Sequence, residues 1–129
     1  MLWILGHMDV VPAGDYSLWD SDPWTVVRDS VDPDIMRGRG VEDNQQAVVS
    51  GCILAEALLR NGIEPDRGLG LLFVSDEETG NAYGIQHVLR ERPDLIHPGD
   101  IVLVPDSGSP DGTFIEVAEK GILWLKVTV

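Results

Sequence analysis

The chain has 129 residues, 43% of them hydrophobic and 6% aromatic, and a net charge of −13 from 22 acidic against 9 basic side chains. This length and composition predict one globular domain with a core of ordinary size. The acidic balance argues against nucleic acid and anionic membrane surfaces as partners, because both bind basic patches.

The first predicted element is a strand at residues 1–5, an apolar run with no cap or turn before it. A domain rarely starts inside a strand, so we expect residues upstream in the natural protein. His7 and Asp9 follow two positions apart, which places them on the same side of an extended chain. That spacing suits a metal-binding imidazole whose other ring nitrogen donates to a carboxylate. Asp9 alone fits a turn residue equally well.

Residues 12–33 form a predicted loop, whose Trp19 and Trp24 we expect to pack against it rather than to line a pocket. Short strands are predicted at residues 25–27 and 35–37. These elements connect the first strand to a helix.

The clearest helix is predicted at residues 44–60, where apolar side chains recur at three- and four-residue steps. Its predicted inward stripe comprises Val48, Cys52, Ala55 and Leu59, widened by Ala47, Leu54 and Leu58. Cys52 is therefore expected to be a buried small hydrophobe. Asp43 lies at the helix start, where a carboxylate fits a helix cap as well as a metal ligand.

Three consecutive acids at residues 76–78 follow an apolar run at residues 69–74 that predicts a buried strand. Such a triplet is ordinarily a solvated loop. Three other segments, however, place a ligand-type side chain just after a strand or at a helix start: those of His7, Asp43 and Asp106. In an open α/β sheet the loops beyond the carboxyl ends of the strands converge on one crevice, so the pattern predicts a metal site.

The remaining elements are a short helix at residues 83–92 with Ile85, Val88 and Leu89 facing inward, a third buried strand at 101–104, and a hairpin of residues 113–118 with 122–129. We expect a three-layer αβα sandwich with a mostly parallel mixed sheet, on which helix 44–60 packs. The strands around Leu2, Leu71 and Val102 should be neighbours, because their carboxyl ends must bring the ligands together.

A single cysteine excludes an internal disulfide, and a reducing cytoplasm is the simplest compartment for such a chain. No apolar run has the length of a membrane span, and the first residues lack the features of a signal peptide. We therefore expect a cytoplasmic location and no membrane partner.

A histidine nitrogen with aspartate and glutamate oxygens suits a borderline divalent ion such as Zn²⁺, Co²⁺ or Mn²⁺. Glu77 and Glu78 are adjacent and cannot point the same way on an extended chain, so one can bind metal while the other acts as general base. One histidine among the candidate ligands is too few for two complete metal coordination shells. The residues by themselves indicate a metal-assisted hydrolase.

Five segments resemble, in order, motifs of the di-zinc family of aminoacylase-1, glutamate carboxypeptidase and succinyl-diaminopimelate desuccinylase. They are residues 6–12 (GHMDVVP), 19–24 (WDSDPW), 38–44 (GRGVEDN), 76–80 (DEETG) and 105–108 (PDSG). The second resembles the family's Trp-x-x-Asp-Pro-Phe element, with Trp in place of Phe. The likeness covers nearly the whole chain and is specific for the family but not for the substrate.

The resemblance implies a fold like that of the zinc exopeptidases and two Zn²⁺ ions per intact active site. By it, His7 and Asp106 bind one metal, Asp43 bridges both, and Glu78 binds the second. Two further roles and one backbone feature are implied: Asp9 orients His7, Glu77 is the general base, and the peptide after Asp43 is cis.

The family's second metal also needs a histidine near the C-terminus of a much longer chain, and no histidine follows Asp106. The family's lid domain, which supplies oligomer contacts, would begin just after Val129. We therefore expect residues 1–129 to be a partial catalytic domain, truncated at both ends, that lacks the lid and dimerisation domain and is inactive alone.

The resemblance implies an amide-bond hydrolase acting on a peptidyl or N-acyl amino acid, and a homo-oligomer in the full-length protein. One alternative is a non-catalytic metal-binding or interaction module, against which the retained Glu77 argues. Another is a relative of the single-domain aminopeptidases, against which the sequence of residues 6–12 argues.

Overall fold

The computed structural model describes residues 1–109, 111–121 and 125–128. Its regular elements are β1 (Leu2–His7), β2 (Val27–Arg28), β3 (Met36–Arg37), α1 (Gln46–Asn61), β4 (Leu69–Val74), α2 (Ile85–Glu91) and β5 (Ile101–Leu103). A 3₁₀ turn at Tyr16–Leu18 and a π-helical turn at Val41–Gln45 complete them. No helix in these ranges has both the length and the apolar character needed to cross a bilayer.

The main sheet has the strand order β4-β1-β5, and both pairings are parallel. Leu2 is in register with Leu69 on one side and with Ile101 on the other. The predicted adjacency of these three strands is therefore confirmed, and their carboxyl ends lie at one edge of the sheet. β2 and β3 pair separately as a short antiparallel ribbon.

Helix α1 packs on this sheet through small residues. Ala47 has no exposed surface. A Cβ atom added at Gly51 would lie 3.3 Å from Leu71 Cδ2 and 3.5 Å from Ile4 Cγ2, so the helix backbone itself approaches the strands. The helix ends at Asn61, and the C-cap residue Gly62 adopts a left-handed conformation (φ 62°) and directs its N–H to the Leu58 and Leu59 carbonyls, as is typical of a glycine helix stop. A parallel sheet with a helix against it confirms the α/β fold class.

The predicted inward stripe of α1 is wrong in part. Cys52 is exposed, and Leu59 is 82% exposed. The helix is rotated so that Ala47 and Gly51 face the sheet, because residues with little or no side chain allow the closest approach of helix and strands. Leu89 of α2, also predicted to face inward, is 44% exposed.

Strand β5 was predicted to be buried, yet Ile101, Val102 and Leu103 are 41–51% exposed. It lies at the edge of the described sheet and pairs with β1 alone. The predicted hairpin is also not observed in the part of it that the structure describes, because residues 113–118 and 125–128 form no strand. Residues 122–124 and 129 of that prediction lie outside the described residues. Alternation of apolar side chains assigns them to faces, but a strand also needs a paired neighbour.

Candidate metal centre

His7 is the centre of the candidate site. It ends β1, and its side chain is only 3% exposed. Its Nε2 atom lies 3.0 Å from Asp43 Oδ1, 3.7 Å from Asp106 Oδ1 and 3.9 Å from Glu77 Oε2. The three acids come from the turn before α1 and from the loops that follow β4 and β5. They meet at His7 because the parallel strands end at the same edge of the sheet.

The Nε2 atom of His7 is buried and makes no hydrogen bond within the described part of the chain. Asp43 Oδ1 is close enough to accept one, but the pair lacks the required geometry. Ligand atoms of His7, Asp43 and Asp106 all lie within 4.8 Å of one another. One imidazole nitrogen with two carboxylate oxygens is a donor set that fits a borderline divalent cation. The predicted meeting of these three residues is thus observed.

The other ring nitrogen of His7 faces Asp9, but not as the sequence predicted. His7 Nδ1 is 2.9 Å from the Asp9 backbone carbonyl and 3.4 Å from its carboxylate. The nearer acceptor is therefore the carbonyl, which favours the proton on Nδ1 and leaves the Nε2 lone pair facing the acids. The Asp9 carboxylate instead accepts from the backbone N–H groups of Glu77 and Glu78, each at 3.2 Å. Asp9 thereby joins the acidic loop to the end of β1.

Glu77 and Glu78 point in different directions, as their adjacency predicted. The Glu77 carboxylate approaches His7, whereas Glu78 Oε1 accepts from the Val11 backbone N–H at 3.1 Å. Glu78 is therefore not among the three residues that could share one ion, His7, Asp43 and Asp106.

The electrostatics of the site reflect crowded negative charge. Burial raises the pKa of Glu77; the charge of His7 opposes this shift, and nearby acids including Asp106 reinforce it. For His7, burial is the largest influence and lowers the pKa. The Asp9 carbonyl and the surrounding carboxylates outweigh it, so the net pKa of His7 is raised. Neighbouring carboxylates thus contribute to both shifts, as expected where several acids lie around one imidazole.

Asn44 is a member of the site that the sequence analysis did not assign. Its side chain has no exposed surface, and it contacts both His7 and Asp106. An asparagine before a helix ordinarily indicates a cap or turn, so no sequence signal marked it as inward-facing. The preceding Asp43–Asn44 peptide is cis, as the family resemblance implied. The helix-cap alternative for Asp43 is not observed, because Gln45 occupies the N-cap position of α1.

The site opens into a groove of about 950 Å³. Polar groups of the site, including His7 and Glu77, line one part of it, and apolar residues such as Phe114 and Ile115 line another. This volume lies in the range typical of small-molecule sites.

Comparison with known proteins agrees with this geometry. The sequence model of peptidase family M20/M25/M40 matches residues 3–121. An uncharacterised metallohydrolase of Methanocaldococcus jannaschii is 43% identical over 130 residues, which cover 99% of this chain and 31% of the relative. One from Methanococcus maripaludis is 43% identical over 129 residues, with 99% and 30% covered.

A succinyl-diaminopimelate desuccinylase of Stenotrophomonas maltophilia is 33% identical over 136 residues, which cover 100% of this chain and 34% of the relative. The chain thus spans about a third of the length of these curated relatives. The family match extends over nearly all of the sequence and includes His7, Asp43 and Asp106. The chain belongs to peptidase family M20/M25/M40.

Proposed function

We propose that this chain carries the metal-binding part of a hydrolase that cleaves an amide bond of a peptidyl or N-acyl amino acid. The observation that carries the proposal is the buried Nε2 atom of His7, which lacks a hydrogen bond among the described residues and faces Asp43 and Asp106. Family membership supports hydrolysis, and the desuccinylase relatives support an N-acyl substrate, N-succinyl amino acids included.

Three side chains would hold the cation: His7 through Nε2, and Asp43 and Asp106 through carboxylate oxygens. Zn²⁺ is the proposed ion, with Co²⁺ or Mn²⁺ as substitutes, because the donor set mixes imidazole and carboxylate. A divalent cation bound there would lower the pKa of water and polarise the scissile carbonyl. Asp9 would position His7 by accepting a hydrogen bond from the Nδ1–H group at its backbone carbonyl.

Glu77 is proposed as the general base. Its Oε2 lies 3.9 Å from His7 Nε2, beside the proposed cation position but outside the three-ligand set. A carboxylate placed beside the cation position but not bound to the ion can accept a proton from water and return it. Glu77 would take a proton from water and deliver it to the leaving amine nitrogen.

A second ion, which the family resemblance implies, would draw on Asp43 and Glu78. Glu78 now accepts a hydrogen bond from the Val11 N–H and would have to exchange it for the ion. Two carboxylates without an imidazole hold Zn²⁺ weakly, whereas the site at His7 has a nitrogen ligand. We therefore propose one tightly bound ion for this chain, and two for the intact active site.

Metal analysis and titration calorimetry on the purified chain test the site. The wild-type chain is expected to bind one equivalent of Zn²⁺ tightly, and His7→Ala to lose that binding. His87→Ala is the matched control, since His87 is an exposed histidine on α2 and should leave binding unchanged. Equal affinity of wild type and His7→Ala would refute the site.

Substrate class requires a separate assay. Because the chain spans about a third of the length of its relatives, hydrolysis is best followed in a longer protein that contains it. Release of free amine is measured with N-succinyl amino acids, N-acetyl amino acids and dipeptides. Turnover of none of them by the metal-loaded protein would contradict the proposed reaction.

A further inference from the structure

Asn44 is a fully buried polar side chain that contacts two other parts of the chain. Its Oδ1 accepts from the His7 backbone N–H at 3.2 Å. Its Nδ2 donates to the Pro105 carbonyl at 3.0 Å and to Asp106 Oδ1 at 2.7 Å. The amide therefore connects the end of β1, the turn before α1 and the loop after β5.

These partners fix the orientation of the amide. The His7 N–H can only donate, so the oxygen of Asn44 must face β1. The Pro105 carbonyl can only accept, so the NH₂ group must face the loop after β5. The neighbours thus distinguish the oxygen of the amide from its nitrogen. The group that faces Asp106 is therefore the NH₂ group, which donates to the carboxylate.

The hydrogen bond to Asp106 bears on metal binding directly. Asp106 Oδ1, which accepts from Asn44, is also the atom that lies 3.7 Å from His7 Nε2. A donor at 2.7 Å restricts the orientation of this carboxylate. The same amide also fixes the backbone of His7, so a single side chain sets the distance between two proposed ligands.

We infer that Asn44 is a positioning residue for the metal centre, and that the donor end of its neutral amide is the feature the site requires. The inference rests on the proposed metal site. A carboxylate at this position would fit the same space but would present an acceptor to the Pro105 carbonyl and a negative charge to Asp106. A longer amide would need additional room at a position whose side chain has no exposed surface.

The test compares Asn44→Asp with Asn61→Asp in the 129-residue chain. Both introduce the same charge; Asn61 is exposed at the far end of α1, and its amide donates only to the Ala57 carbonyl among the described residues. Zn²⁺ affinity is measured by calorimetry, and the ligand geometry by the visible absorption spectrum of the Co²⁺-loaded chain. Asn44→Asp is expected to weaken Zn²⁺ binding by about 10–100-fold and to change the Co²⁺ spectrum. Asn61→Asp should match wild type in both.

A second variant, Asn44→Ala, removes the donor without adding charge and should show the same losses while remaining folded by circular dichroism. Unchanged or tighter Zn²⁺ binding in Asn44→Asp, with an unchanged Co²⁺ spectrum, would overturn the inference. Unfolding of both Asn44 variants would also overturn it, in favour of a purely structural role. Failure of the wild-type chain to bind Zn²⁺ would instead refute the metal site itself.

Discussion

Replacement of Gly6 by alanine tests how closely β1 and α1 approach each other at the site. A Cβ atom at this position would lie 2.9 Å from Asn44 Oδ1 and 3.2 Å from Ala47 Cβ. Neither neighbour yields easily. The Asn44 oxygen is held by the His7 N–H, and the Ala47 Cβ moves only if the helix moves.

Overpacking of a buried site costs about 1–3 kcal/mol in stability. Alanine also restricts the unfolded chain more than glycine does, which returns about 0.4–1 kcal/mol. We expect a net loss of about 1–2 kcal/mol in the free energy of unfolding, because both contacts are with groups that cannot rotate away. Zn²⁺ affinity should fall as well, since the displaced oxygen belongs to Asn44.

Urea unfolding of the metal-free chain gives the free energy, with Gly99→Ala as the control. A Cβ atom at Gly99 meets no atom within 4 Å, so that variant should be as stable as wild type or up to about 1 kcal/mol more stable. Equal stability of Gly6→Ala and Gly99→Ala, with equal dependence on urea, would refute the close packing described for β1 and α1.

Two further predictions concern acidic side chains. Glu77→Gln should leave Zn²⁺ affinity within a few-fold of wild type while hydrolysis by a longer, active protein falls by about two to four orders of magnitude; loss of metal with an unchanged rate per bound ion would make Glu77 a ligand instead. Backbone N–H groups of Asp32 and Val31, with the Arg37 guanidinium, lower the pKa of Asp29 to about 2. Its ionised form therefore stabilises the fold above the ordinary carboxyl pKa, and the contribution is lost as pH falls from about 4 towards 2. Thermal unfolding of wild type and Asp29→Asn should show a difference that shrinks across this range, and a difference independent of pH would contradict the assignment.

The meeting of His7, Asp43 and Asp106 could be predicted from the sequence. His7 and Asp106 follow apolar segments that are recognisable as strands, and Asp43 precedes a recognisable helix. Parallel strands place their carboxyl ends at one edge, so the order of elements along the chain is sufficient to bring such residues together. No knowledge of individual side-chain directions is needed for that prediction.

Side-chain directions within the site were decided only by the tertiary structure. The sequence does not reveal that Asp9 uses its carbonyl towards His7, that Glu78 turns to the Val11 N–H, or that Asn44 points inward. Each depends on which backbone N–H or carbonyl lies within about 3 Å, and for Glu78 and Asn44 that group belongs to a residue distant in the chain.

In the core, the rotation of helix α1 about its axis was likewise decided by the tertiary structure and not by the sequence. The periodicity of its apolar residues identified the helix, because three- and four-residue steps follow from 3.6 residues per turn. Several faces of this helix are apolar, however, so periodicity did not determine which face is buried. The sheet surface around Ile4 and Leu71 accepts the face with the smallest side chains, Ala47 and Gly51, and leaves Cys52 exposed. Local sequence sets the period of a helix, whereas its rotation about its axis is set by close packing against the surface it meets.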